Sequence, residues 1–214
     1  MSRTLLLRPD ESKHFVVDEA VSVIRAGGII VYPTETLYGI GANALDVRAV
    51  ERILAAKKRK ENRPILAIIH SQEQLNLLAA RISPPAQKLM DEFWPGPLTI
   101  VFAAQPGLPH ALTQSSGTIG IRIPSNAFCL ELLRRCGCPL TSTSANLSGE
   151  PVHRTIEEIK NALSEGIDLF VDAGPLPKTS PSTVVSVVEP IPKLIRKGVV
   201  SLEELHRVLP QIAM

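Results

Sequence analysis

Four short segments of this chain gather side chains able to bind anions and orient polar substrates. The first is Tyr32-Pro33-Thr34-Glu35-Thr36-Leu37-Tyr38-Gly39, where a proline and two hydroxyls break a β-branched run. By itself it reads as a turn whose threonines satisfy loop backbone. The second, Lys57-Lys58-Arg59-Lys60-Glu61-Asn62-Arg63-Pro64, places five cations in seven positions at the end of a helical pattern. Two readings of it are open. It is either a solvated face that complements the helix dipole, or a phosphate clamp in which arginine forks take oxygens in pairs and lysine supplies a mobile point charge. The third, Gly120-Ile121-Arg122-Ile123-Pro124, sets an arginine in an apolar strand, as an edge charge or as a carboxylate anchor. The fourth is Thr141-Ser142-Thr143-Ser144-Ala145-Asn146-Leu147-Ser148-Gly149. Strand alternation puts Ser142 and Ser144 on one face, with Asn146 next if the extended path continues.

The common nucleotide and hydrolase signatures are absent or broken. Gly174-Pro175-Leu176-Pro177-Lys178-Thr179 has a proline where a phosphate loop needs a glycine N–H, and Gly39-Ile40-Gly41 lacks the third glycine of a dinucleotide site. No H-E-x-x-H, G-x-S-x-G or metal-spaced Cys/His set occurs. The three cysteines, Cys129, Cys136 and Cys138, form no C-x-x-C pair and read as reduced structural thiols. With 23 basic against 21 acidic residues the net charge is only +2, so no global field favours duplex DNA or an anionic membrane, and any anion site must be local. An aromatic share of 4% offers little for a module that stacks RNA bases.

These segments need elements to position them. A chain of 214 residues with 44% hydrophobic and 21% charged residues suits one globular domain, taken here as residues 1–214. Short β-branched runs at residues 4–7, 29–32, 65–69, 98–103, 118–123, 139–143, 169–172, 183–188 and 193–196 alternate with helical patterns. The expected class is therefore α/β, a twisted mixed parallel and antiparallel sheet with flanking helices. Antiparallel pairing enters because the runs at 183–188 and 193–196 leave no room for a helix between them. Helices should open at Ser71 with Gln74, Thr155 with Glu158 and Ser201 with Glu204, where a hydroxyl precedes Glu or Gln by three. Another should follow Asp46, with Val47, Val50, Ile53 and Leu54 at helical spacing, and fade near Lys57. The Gly- and Pro-rich stretch 173–182 is a candidate lid or pocket wall. The apolar run Leu5, Leu6, Leu7 is too short for a signal peptide, and no stretch reaches the ~20 apolar residues of a membrane span, so a cytoplasmic location is expected.

Taken together, over about residues 20–205, the chain resembles the YrdC-type threonylcarbamoyl-adenylate synthases. The landmarks are the block from Tyr32 to Gly39, Lys57-x-Arg59, Trp94-Pro95-Gly96-Pro97-Leu98-Thr99, Gly120-Ile121-Arg122-Ile123-Pro124, Ser144-Ala145-Asn146, Ser182-Thr183-Val184-Val185 and Ile195-Arg196-x-Gly198. The resemblance implies a YrdC-like fold with a positively lined cavity. It implies L-threonine contacts at Thr36, Arg122, Ser142 and Ser182, with Arg122 facing the carboxylate. On the ATP side it implies Lys57, Arg59, Arg63, Thr118, Ser144, Asn146, the backbone near Val152, and Arg196; Lys57, Arg59, Ser144 and Asn146 would carry catalysis. The implied reaction joins L-threonine, bicarbonate and ATP into threonylcarbamoyl-AMP and pyrophosphate, with Mg²⁺ held mainly by ATP and water. The product would pass to a downstream tRNA threonylcarbamoyl transferase complex, tRNA itself binding weakly or indirectly. The alternative is a paralogue of the same fold that binds nucleotide or RNA without this activity; such paralogues tend to have lost Ser-x-Asn, which this chain keeps. Ile68 stands where the family often has a histidine, Lys60 and Lys197 where it often has prolines, and Lys178 where glycine is common.

Overall fold

The computed structural model describes residues 2–8, 12–58, 64–114, 116–163 and 165–214. These form, in order, β1 (Arg3–Leu6), α1 (Ser12–Arg25), β2 (Ile30–Pro33), β3 (Tyr38–Gly41), α2 (Val47–Ala56), β4 (Ala67–Ile68), α3 (Gln72–Leu78), α4 (Pro84–Phe93), β5 (Leu98–Ala103), α5 (His110–Thr113), β6 (Thr118–Arg122), α6 (Ala127–Cys136), β7 (Leu140–Thr141), β8 (Thr143–Ser144), α7 (Ile156–Ala162), β9 (Leu169–Asp172), β10 (Thr183–Ser186), β11 (Lys193–Arg196) and α8 (Leu202–Val208).

The mixed pairing expected from the sequence is present, but divided between two sheets. One runs β1-β9-β2-β3-β8, the other β11-β10-β5-β6-β4-β7. Each contains parallel and antiparallel neighbours, including the antiparallel β10 and β11. The chain changes sheets at Ser142, between β7 and β8. At this seam the Thr141 N–H donates to the Ala42 carbonyl at 2.9 Å, and the Ala42 N–H donates to Thr141 Oγ1 at 3.0 Å.

β2 and β3 are buried on both faces, which explains why β2 reads as a continuous apolar run rather than an alternating one. On one side Ile30, Tyr32, Leu169 and Val171 pack with α1 and α6; on the other Val31, Ile40 and Phe170 join the larger core with Ile100, Phe102 and Ile121. β3 was not legible as a strand because of Gly39 and Gly41. Gly41 is required by close approach: a methyl there would lie 2.5 Å from the Tyr32 ring and 3.0 Å from the Thr141 carbonyl oxygen, while one on Gly39 would press on the Ser142 hydroxyl at 3.1 Å.

The expected helix starts hold. Asp46 accepts from the N–H groups of Arg48 and Ala49, and Thr155/Glu158 and Ser201/Glu204 form reciprocal capping boxes. Ser71 caps α3, but Gln74 turns back to the N–H of His70 at 3.1 Å instead of closing the box on Ser71. Among the described residues no helix is long and apolar enough to cross a membrane.

Candidate functional site

The β2–β3 turn is locked by one hydroxyl. Thr34 Oγ1 accepts from the N–H groups of Thr36 and Leu37, both at 3.1 Å, and donates to the Leu37 carbonyl at 2.6 Å. This puts Thr36 and Gly39 on one wall of a cavity of about 790 Å³. Its floor is one face of the larger sheet, where β10 offers Val184 and Ser186, β5 offers Thr99 and Val101, and β6 offers Thr118, Gly120 and Arg122. Arg122 and Thr118 are four residues apart along β6, about 13 Å at ~3.3 Å per residue. Gly120 lies between them, where a methyl would meet the Thr99 side chain at 3.2 Å, so the middle of the floor stays low.

Arg122 is 2% exposed and donates from Nη1 to Glu35 Oε1 at 2.7 Å. Arg122 Nε and Glu35 Oε2 are buried without partners. Arg196 lines the same cavity, and burial, with the like charge of Arg122 added, pulls its guanidinium below the usual range. Its Nε and Nη2 both donate to the Ser182 carbonyl, at 3.2 and 2.8 Å, and Nη2 also reaches Ser182 Oγ at 3.1 Å. Ser182 Oγ lies 2.9 Å from Thr99 Oγ1. Gly198 permits this packing, since a methyl there would sit 2.3 Å from the Pro181 carbonyl oxygen. The Arg196-x-Gly198 spacing is thereby explained: one residue grips the 181–183 backbone while the other lets it approach.

Ser142 and Ser144 both line the cavity, but so does Thr143 between them, because the chain leaves one sheet at Ser142 and enters the other, so simple strand alternation does not describe this segment. Asn146 does not follow them. Its N–H turns back to the Ser144 carbonyl at 2.9 Å, ending the extended path, and its side chain is buried beneath, accepting from Ser144 Oγ at 2.6 Å and donating to the Glu150 carbonyl at 2.5 Å. Lys57 caps the C-terminus of α2 yet is 3% exposed, so it is not part of a solvated face. Its Nζ donates to the carbonyls of Ser144 and Asn146 at 2.5 and 2.6 Å and lies 3.3 Å from Asn146 Oδ1. It therefore underpins the Ser-x-Asn turn. Lys58, next to it, is exposed.

Loop 173–182 forms part of the wall through Pro181 and Ser182. The Tyr38 hydroxyl donates to the Gly174 carbonyl at 2.7 Å and accepts from the Ala173 N–H at 2.9 Å, while Thr179 Oγ1 donates to the Thr36 carbonyl at 2.8 Å. Burial pushes the Tyr38 phenol up to about 12, so it stays a donor at neutral pH.

Of the residues singled out from the sequence, Thr36, Thr118, Arg122, Ser142, Ser144, Ser182 and Arg196 line this one cavity. Lys57 and Asn146 lie behind its wall, and Val152 is 42% exposed and not among its lining residues. Arg59 and Arg63 fall outside the described residues. Ile68 is fully buried in the cluster under α1 and α6, and β4 ends before His70, whose Nδ1 is 2.9 Å from Gln74 Oε1. The sequence reading missed Thr99, legible as an inward position of β5, and Glu35, whose pairing across 87 residues leaves no local signal.

The family model Sua5_yciO_yrdC, described as telomere recombination, matches residues 22–198. Threonylcarbamoyl-AMP synthase of Pyrococcus abyssi is 37% identical over 193 residues, covering 90% of this chain and 57% of that protein. A putative threonylcarbamoyl-AMP synthase of Mycobacterium tuberculosis is 34% identical over 209 residues, 98% of this chain and 96% of that protein. The crystal structure of P. abyssi Sua5 complexed with L-threonine superposes with a TM-score of 0.91 at 35% identity, over 100% of this chain and 62% of that one. E. coli YciO superposes at 0.86 with 30% identity, over 96% and 100%. The chain thus spans under two thirds of its P. abyssi relative, but both the sequence match and the superposition take in the cavity strands and the Ser142 seam, and on that ground the chain belongs to the Sua5/YciO/YrdC family.

Proposed function

We propose that this chain is an enzyme, a nucleotidyltransferase that forms threonylcarbamoyl-AMP and pyrophosphate from L-threonine, bicarbonate and ATP, in the cytoplasm. The observation that carries it is the convergence of Arg122, Thr36, Ser142 and Ser182 with Thr118, Ser144 and Arg196 on one cavity about 790 Å³ in volume. A buried guanidinium with an unused edge suits the amino acid's carboxylate, and hydroxyls around it suit the rest of a small polar substrate. Relatives named threonylcarbamoyl-AMP synthase, and a structural neighbour solved with L-threonine, support the same reading.

The chemistry asks for no nucleophile from the protein. Bicarbonate takes up a proton and gives carbon dioxide and water; the neutral amine of threonine adds to the carbon dioxide and gives up a proton, forming a carbamate, and a carbamate oxygen attacks the α-phosphorus as the bond to pyrophosphate breaks. The protein's part is to hold the two reactants in line and to meet the charge that develops, in a site where water no longer screens it. Arg122 holds the carboxylate end. Ser144 stands on a turn made rigid by Lys57, and Arg196 ties the two halves of the site together through Ser182. Arg59, Arg63 and the backbone near Val152 complete the ATP side in this proposal. Mg²⁺ would arrive with ATP, held mainly by phosphate and water oxygens. The product then goes to a tRNA threonylcarbamoyl transferase complex, with tRNA touching this chain weakly or indirectly.

Arg122→Ala separates the two ends of the site. A charged hydrogen bond is worth about 1.5–3 kcal/mol, so threonine affinity should fall roughly 10- to 100-fold while ATP affinity stays within about threefold. Titration of each substrate decides it, and a collapse of ATP affinity with threonine binding intact would contradict the assignment.

A further inference from the structure

We propose that Glu35 is a positioning residue for the amino-acid end of the pocket, holding Arg122 so that the unused edge of its guanidinium meets a substrate carboxylate; this rests on the function proposed above. Arg122 is almost wholly buried and shares the cavity with a second guanidinium, that of Arg196. Among the described residues, Glu35 is the acid within ion-pair distance of Arg122, and Arg196 has none. Two cations lining one cavity repel each other, and the acceptor that fixes where the Arg122 guanidinium lies is Glu35 Oε1.

Glu35 is fixed by its place in the turn. It sits between Thr34 and Thr36, where the Thr34 hydroxyl holds three backbone groups at once. Its contact with Arg122 is one-armed: Oε1 meets Nη1 at 2.7 Å, while Oε2 and Arg122 Nε have no partner. A two-pronged pair would use up an edge of the guanidinium. A single contact at Nη1 fixes its orientation without closing a full edge of the guanidinium, so the cavity-lining arginine keeps hydrogens to offer an incoming carboxylate. Ion pairing also offsets part of the cost of burying Arg122 before substrate arrives. The opposite role, an internal carboxylate that competes with substrate for Arg122, predicts the opposite sign in binding.

The test is calorimetric titration of L-threonine and of ATP into the wild type, Glu35→Ala and Glu35→Gln, with melting temperatures alongside. Glu35→Ala should weaken threonine binding about 10- to 100-fold and leave ATP within about threefold. Glu35→Gln keeps an oxygen that accepts from Nη1 and should recover most of that loss. Should Glu35→Ala fail to fold, Glu35→Asp, which keeps the charge but shortens the reach, should show the same split between threonine and ATP. Unchanged or tighter threonine binding in Glu35→Ala would overturn the role, as would equal losses for both ligands or no recovery in Glu35→Gln. A wild type that binds no threonine overturns the proposed function as well; threonine binding that ignores Glu35 overturns the positioning role alone.

Discussion

Replacing Lys57 by methionine keeps most of the aliphatic stem and removes the ammonium. In the folded chain the residue is 3% exposed, and its ammonium meets the carbonyls of Ser144 and Asn146 at 2.5 and 2.6 Å. Hydrogen bonds to a charged group are worth about 1.5–3 kcal/mol each, and a buried acceptor left alone adds its own desolvation cost. Part of this is returned because an ammonium no longer has to be buried. The net loss should be about 3–5 kcal/mol, within the ~5–15 kcal/mol that holds a domain folded. A cation that merely complements the C-terminus of α2 would give no more than about 1 kcal/mol. Urea unfolding at pH 7 of the wild type, Lys57→Met and Lys58→Met measures the difference. Lys58 is exposed, so its variant should stay within about 0.5 kcal/mol of the wild type. Adenylate formation by Lys57→Met should fall about a hundredfold as the Ser144 turn loosens. A stability loss of about 1 kcal/mol or less at Lys57 would refute the claim that its ammonium pins the 144–146 turn.

Two other perturbations follow from the geometry. Gly198→Ala sets a methyl against the 181–183 backbone and should cost about 1–3 kcal/mol, seen as a melting temperature lower by roughly 2–12 °C. The Tyr38 phenol has a folded pKa raised from 10.0 to about 12, so the folded state binds the proton more tightly. Stability present below pH 10 should therefore be lost as pH rises from about 10 to 12, and Tyr38→Phe should flatten that decline in an alkaline unfolding series. Tyr32 and Cys129 are raised in the same direction by burial and should both contribute to the decline that remains.

Helices with a polar cap and a clear apolar stripe were readable because both signals are local, as at Asp46, Thr155 and Ser201. β10 and β11 were readable because two prolines separate two β-branched runs. β3 was not: Gly39 and Gly41 look like loop residues, and only the Tyr32 ring and the Thr141 carbonyl oxygen, on other strands, show why glycine belongs at position 41. The helices α1, α4, α5 and α6 went unassigned for want of an acidic capping box; Asn126 caps α6 without one, and Gly137 closes it in the left-handed conformation. At the site, Ser142 and Ser144 were picked out as one face of a strand; both reach the cavity, but with Thr143 between them, because the chain crosses from one sheet to the other at Ser142. Asn146 would have joined them only on a continued extended path, which one backbone hydrogen bond to Ser144 ends, and nothing in the local sequence announces that bond. Lys57 is the clearest lesson. Its neighbours make it look solvated, and the burial that changes its role comes from the turn at residues 144–146.

The central claim is that one chain brings the amino acid, bicarbonate and ATP together. Purified protein incubated with ATP, bicarbonate and L-threonine, then analysed by mass detection of the adenylate, tests it most directly. Threonylcarbamoyl-AMP and pyrophosphate should form only when all three are present, without tRNA or any partner protein. ATP binding with no adenylate from any amino acid would contradict it and leave a nucleotide-binding paralogue.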